Sequence, residues 1–279
     1  MRHRDFIIPV GLLALIAGFF VVQLRDVQKT RTNRVAIAVT PSIAPQGSVS
    51  DSATTAAAPS ALKTDTVALE IPGRNVTVQP SNAPPPRIDT QYVRELLREG
   101  SPGTYLPEIL SQQRNNLLRW PDRSPTMRVW IQRDPAVPNW DRQYAVVAER
   151  AFAEWQEAGF PLRFDMVLDE SSSEIQIKWV EKFRPEDSLQ VGVARKVRDQ
   201  HGWLVSAEIS IATHGTDGGP LTPTLIAGVA RHEIGHALGL GHSGSTADVM
   251  YPESHTTVIS AADRKTLRLL YMLPPGRMP

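Results

Sequence analysis

The apolar positions of this chain fall into three regimes. From Phe6 to Leu24, nineteen residues run with Gln23 as the one strongly polar member. That length is near the ~20 residues needed to cross a hydrocarbon core, so the pattern predicts a transmembrane signal anchor over 6–24 behind a short basic flank at 1–5. From 25 to 87 the apolar rhythm lapses. Pro41 to Ala61 is nearly all Ala, Ser, Thr, Pro and Val, with Asp51 its one charge, and Pro80, Pro84, Pro85 and Pro86 close the segment. Such a composition buries too little apolar area to fold alone and reads as a disordered linker. Within it, Val67, Leu69, Ile71, Val76 and Val78 alternate weakly enough to allow one short strand.

A folded pattern begins near Ile88. Asp89 is placed to cap a helix over Thr90 to Arg98 with Tyr92, Val93, Leu96 and Leu97 on one stripe, and Leu106 to Leu118 predicts a second. Together they form a helical N-terminal extension, 88–119. Beyond it Met127 to Gln132 alternates as a strand, and Asp141 to Ala158 carries Tyr144, Val147, Ala148, Ala151, Phe152 and Trp155 at helical spacing before Gly159. Leu162 to Leu168, Glu174 to Val180, Leu189 to Val197 and Leu204 to Ala212 predict four more strands. Thr222-Pro223 opens a helix that runs to Gly239, and Ser260-Ala261-Ala262-Asp263 caps a last one carrying Leu267, Leu270 and Tyr271. The expectation for 120–279 is an α+β domain with a twisted, mixed five-stranded sheet and about three helices.

Composition narrows the chemistry. Net charge is +1 with acids and bases nearly balanced, and no basic stripe with interleaved aromatics points to nucleic acid. The chain has no cysteine, which excludes a disulfide framework and a thiolate-ligated metal.

One run remains that carries chemistry: His232-Glu233-Ile234-Gly235-His236-Ala237-Leu238-Gly239-Leu240-Gly241-His242. Histidines four apart on a helix share a face, about 6 Å along the axis, so their rings can converge on one zinc ion. Gly239 can take the left-handed backbone that ends the helix and brings His242 round as a third ligand. Three protein ligands leave a fourth position for water, the arrangement of a catalytic zinc. Glu233, beside the first ligand, is the candidate catalytic base. A bare H-E-x-x-H arises by accident in about 1 % of chains this long, and the added glycine and histidine make the accident roughly a thousandfold rarer.

The extended motif resembles the metzincin clan of zinc endopeptidases and, with Ser243 after the third histidine, the matrixin family. Val249-Met250-Tyr251-Pro252, eight residues beyond His242 at Met250, looks like that family's Met-turn. Ala151 to Trp155 and Pro161 to Phe164 resemble its first helix and second strand. The resemblance covers about Trp120 to Leu273. It implies a metzincin-type protease domain hydrolysing peptide bonds of protein substrates, one catalytic Zn2+, Met250 as an apolar floor beneath the metal, and a substrate paired with the edge strand near Val191 to Val197. It also implies a specificity pocket walled in part by Tyr251, Pro252 and His255. The family's vertebrate members carry a second zinc and calcium ions, but their histidine/aspartate loop is not recognisable here, so structural calcium has no support in the sequence. Without a cysteine, the family's thiolate latency device is excluded, and residues 88–119 read as a packing extension in preference to a vestigial pro-segment.

The resemblance places the catalytic domain outside the cytoplasm, although Arg25, Lys29, Arg31 and Arg34 beyond the apolar run offset Arg2 and Arg4 before it. A small-residue cleavage site is lacking, which favours a retained anchor over secretion after cleavage. His201 sits in a turn, and His214 is a candidate for substrate or a second ion. The alternative to a protease is a non-catalytic binding protein that keeps the fold; an intact Glu233 argues against it.

Overall fold

A computed structural model describes residues 89–122, 126–183, 190–215, 218–253 and 256–279. The expected anchor at 6–24 and the linker lie outside these residues. Among the described residues no helix is long and apolar enough to cross a membrane.

The central sheet is mixed and five-stranded. It contains β2 (Met127–Ile131), β3 (Phe164–Met166), β4 (Ile175–Val180), β5 (Gly192–Arg198) and β6 (Leu204–Ala212), in the order β3-β2-β4-β6-β5. The first four are mutually parallel, and β5 pairs antiparallel with β6 and forms one edge. β2 alternates as its sequence predicts, with Met127, Val129 and Ile131 buried and Arg128 exposed. β6, covered on both faces, is buried at every residue but Val205. Parallel strands need covered faces, and β4 and β6 are largely buried although Gln176, Lys178, Ser206, Glu208 and Ser210 alternate with their apolar residues.

Helix α3 (Arg142–Gln156) starts at an Asp141 cap and packs along α4 (Pro223–Ala237). The indole of Trp155 donates to the Arg231 carbonyl at 2.9 Å, and Arg231 forms an ion pair with Glu154. Helix α5 (Ala261–Met272) begins with the predicted capping box, Ser260 bonding the Asp263 backbone N–H and Asp263 bonding the Ser260 N–H.

The N-terminal extension is part of this core. Helix α1 (Thr90–Gly100) is capped by Asp89, as predicted, and buries Val93. Helix α2 spans Leu106–Gln112 and buries Leu106 and Ile109. The expected helix over 106–118 therefore stops early. Arg114 and Asn115 take positive φ of 53° and 59°, and the chain then forms β1 (Asn116–Leu117), which pairs with β7 (Gly276–Arg277) at the far end of the sequence. The strand expected over 162–168 is also shorter, because β3 is the outermost strand and pairs with β2 only. Tyr105, between α1 and α2, ties the extension to α5: its backbone N–H bonds Thr266 at 3.1 Å and its hydroxyl bonds Asp263 at 2.9 Å.

Candidate metal centre

Helix α4 carries the first two histidines, and its start and stop are both written locally. The Thr222 hydroxyl accepts from the Leu225 N–H at 3.3 Å, and Pro223 occupies the first turn, where a missing N–H costs nothing. At the other end Gly239 has φ +108°. Its N–H bonds the His236 carbonyl, and the Leu240 N–H reaches back to the Gly235 carbonyl, both at 3.0 Å. This paired closure satisfies the last helical carbonyls and reverses the chain. A side chain at Gly239 would sit 2.3 Å from the Leu118 carbonyl oxygen, so the reversal also depends on a close approach of two backbones.

The reversed chain delivers His242. One ring nitrogen from each of His232, His236 and His242 lies within 4.8 Å of the others, and Nε2 of His236 is 3.2 Å from Nε2 of His242. Two nitrogens bound to one tetrahedral zinc would be about 3.3 Å apart. The other ring atoms fix the tautomers. Nδ1 of His232 faces the Val249 carbonyl at 2.7 Å, and Nδ1 of His236 faces the Leu240 carbonyl at 3.0 Å. A carbonyl only accepts, so both Nδ1 atoms carry the proton, and the Nε2 lone pairs are left to the centre. Burial lowers all three imidazole pKa values, that of His242 to about 4, so the rings are neutral near pH 7 and ready to bind a metal. The donor set, tautomers and spacing fit a zinc ion.

Glu233 is buried against β5. Desolvation pushes its carboxyl up to about 8, opposed by the Lys196 ammonium and the Ala194 backbone N–H. Gly192 on the same strand leaves room for it, since a Cβ there would lie 2.5 Å from Glu233 Oε1. Met250 is fully buried beneath α4, and a Cβ at Gly235 would lie 2.3 Å from its sulfur. The glycine inside the histidine motif thus makes room for the Met250 sulfur.

A buried polar network fixes the chain at Val249 and Met250. The Met250 carbonyl accepts from the Ser243 N–H at 2.9 Å, next to His242. Asp263 Oδ2 accepts the Val249 N–H at 2.9 Å, and Asp248 accepts from the hydroxyls of Ser243 and Ser260. Asp263 showed in the sequence only as a capping residue; its role under the Met-turn depends on contacts across the fold. Gln112 of α2 gave no signal at all. Its carboxamide grips the His242 backbone twice, accepting the N–H and donating to the carbonyl, each at 3.0 Å.

These contacts and the motif converge with what the chain is similar to. The matrixin family (Peptidase M10) matches residues 119–272. The chain belongs to the matrixin family. Over 112 residues it is 32 % identical to Metalloendoproteinase 1-MMP of Arabidopsis thaliana, a match covering 38 % of this chain and 30 % of that relative. Matrixins are zinc enzymes, and the histidine trio is the group of described residues that can hold the ion.

The remaining candidates lie outside the histidine trio. Both ring nitrogens of His214 are engaged, by Asn139 and Thr213, each at 3.0 Å, which leaves neither free for an ion. Tyr251 is half-buried and Pro252 exposed beside the Met-turn, while His255 lies outside the described residues.

Proposed function

We propose that this chain is a zinc-dependent endopeptidase with His232, His236 and His242 as metal ligands, Glu233 as its proton-transfer residue and Met250 as the floor of the site. The observation that carries this reading is the convergence of three neutral imidazoles beside a buried carboxylate, next to an open sheet edge. When bound, zinc supplies Lewis acidity to water and to the substrate carbonyl. The protein's own groups do the rest. A peptide added along β5 has its backbone groups satisfied by strand pairing, without its sequence being read. Glu233, as the carboxylate beside the bound water, takes the proton of the attacking water and returns it to the departing amine. The Ala194 backbone N–H holds that carboxylate in place. Tyr251, Pro252 and His255 are the proposed pocket wall.

The proposal extends to topology: the apolar run 6–24 anchors the chain, and the linker to residue 87 holds the protease domain, 120–279 with its 88–119 extension, on the outer side of a membrane. Recovery of the full chain in a carbonate-washed membrane fraction, with its C-terminal part open to added protease on the outer face, is the expected result; a soluble full-length chain counts against it. For the chemistry, the zinc-loaded protein should cleave an unstructured protein, stop with a chelator and resume with zinc. Glu233→Gln should retain one zinc per chain and lose at least ~100-fold in turnover. Normal turnover in that variant removes Glu233 from the mechanism.

A further inference from the structure

Strand β5 presents alternate residues to α4. A Cβ at Gly192 would touch Glu233 and Val229, at 2.5 and 2.6 Å. The ladder with β6 stays regular until the irregularity between Val197 and Arg198. With a side-chain period of two, Ala194 and Lys196 therefore face the same way as Gly192, towards the metal centre, while Arg195 between them is exposed. The Lys196 ammonium acts through space on Glu233, His236 and His242. Burial lowers its own pKa to about 8, against the attraction of Glu233. Among the described residues it makes no hydrogen bond and no ion pair within 4 Å.

A half-buried cation beside a metal site is costly, since a lysine stem is long enough to carry its head to water. Here the side chain lies on the α4-facing side of an edge strand along which a peptide can pair. A peptide paired with β5 turns its side chains alternately towards and away from α4, so one of them falls opposite Lys196. We infer that Lys196 forms a cationic subsite that selects peptides with an acidic side chain close to the scissile bond, on the side of His236 and His242. This rests on the endopeptidase reading and adds a substrate class to it.

The test uses the zinc-loaded protein and a peptide set in which each position flanking the cleaved bond is Glu, Gln or Lys in turn. At one position Glu should exceed Gln in kcat/KM by about tenfold. Lys196→Arg should keep that ratio, Lys196→Met should bring it to about one, and Lys196→Glu should favour Lys instead. The same peptides, labelled, are titrated against the zinc-loaded Glu233→Gln protein by fluorescence anisotropy, where the Glu peptide should bind more tightly and lose that advantage with Lys196→Met. Equal handling of Glu and Gln at every position overturns the inference. So does a Lys196→Met protein that keeps the ratio or slows all peptides alike. Absence of any cleavage speaks against the endopeptidase reading alone, and the binding ratios then decide Lys196.

Discussion

Replacing Gln112 by alanine isolates how far the N-terminal extension controls the metal centre. The carboxamide makes two hydrogen bonds to the His242 backbone, each at 3.0 Å, from a helix that precedes the family-matched region. A neutral amide bond contributes about 1 kcal/mol net, and the Gln112 side chain is solvent-exposed, so water recovers part of the loss. About 1 kcal/mol is the expected remainder. The chain after Gly239 is held by few other bonds before Ser243, so most of that loss falls on the position of the third ligand. In zinc affinity 1 kcal/mol corresponds to about a fivefold rise in Kd. Competition against a chromogenic chelator measures it, with thermal unfolding of the metal-free protein alongside. Glu108→Ala on the exposed side of the same helix is the control. Gln112→Ala should raise the zinc Kd and leave the metal-free Tm within a few degrees. Unchanged zinc affinity with a lowered Tm would show that the clamp only packs the extension and would refute the reasoning.

Two further outcomes follow from the same geometry. Gly239→Ala combines a positive φ of +108° with a Cβ 2.3 Å from a backbone oxygen, and should cost about 2–5 kcal/mol in urea unfolding and strongly reduce zinc binding; wild-type stability would mean that the reversal relaxes freely. Glu154→Gln tests linkage: the Arg231 hydrogen bond holds the Glu154 carboxyl below its usual 4.5 against an opposing desolvation. A depressed carboxyl stabilises the fold above its unfolded pKa and loses that contribution as pH falls through the folded value. The variant should therefore unfold at lower temperature than wild type at pH 7, with the gap closing below about pH 4; a constant gap from pH 7 to 3 would remove the Arg231 ion pair from the acid sensitivity of α3 and α4.

What the sequence disclosed and what it hid divide along contact range. The metal helix was legible because everything that makes it is local: Thr222 and Pro223 at the start, the apolar stripe, Gly239 at the stop, and histidines whose spacing alone puts them on one face. The five strands were legible from alternating apolar positions, but not the order in which they pair or that β5 would lie against Glu233. The overrun of the second helix has the same cause. Residues 113–118 are compatible with a helix, and the end at Gln112 is set by pairing of Asn116–Leu117 with Gly276–Arg277, which no local signal announces. Gln112 meets His242 across 130 positions, and Tyr105 meets Asp263 across 158. No periodicity reports contacts of that range. They alter where the working unit begins. The family match starts at residue 119, yet Val93, Tyr105, Leu106 and Ile109 are almost wholly buried against the domain, each burial stabilising by about 1.5–3 kcal/mol. Asp263, which receives the Tyr105 hydroxyl on one oxygen, holds the Val249 N–H on the other, and the Val249 carbonyl orients His232. The extension thus reaches His232 through Asp263 and His242 through Gln112. A fragment cut at the family boundary would expose that apolar surface and release both supports, so metal binding and stability should fall together as residues 89–118 are removed.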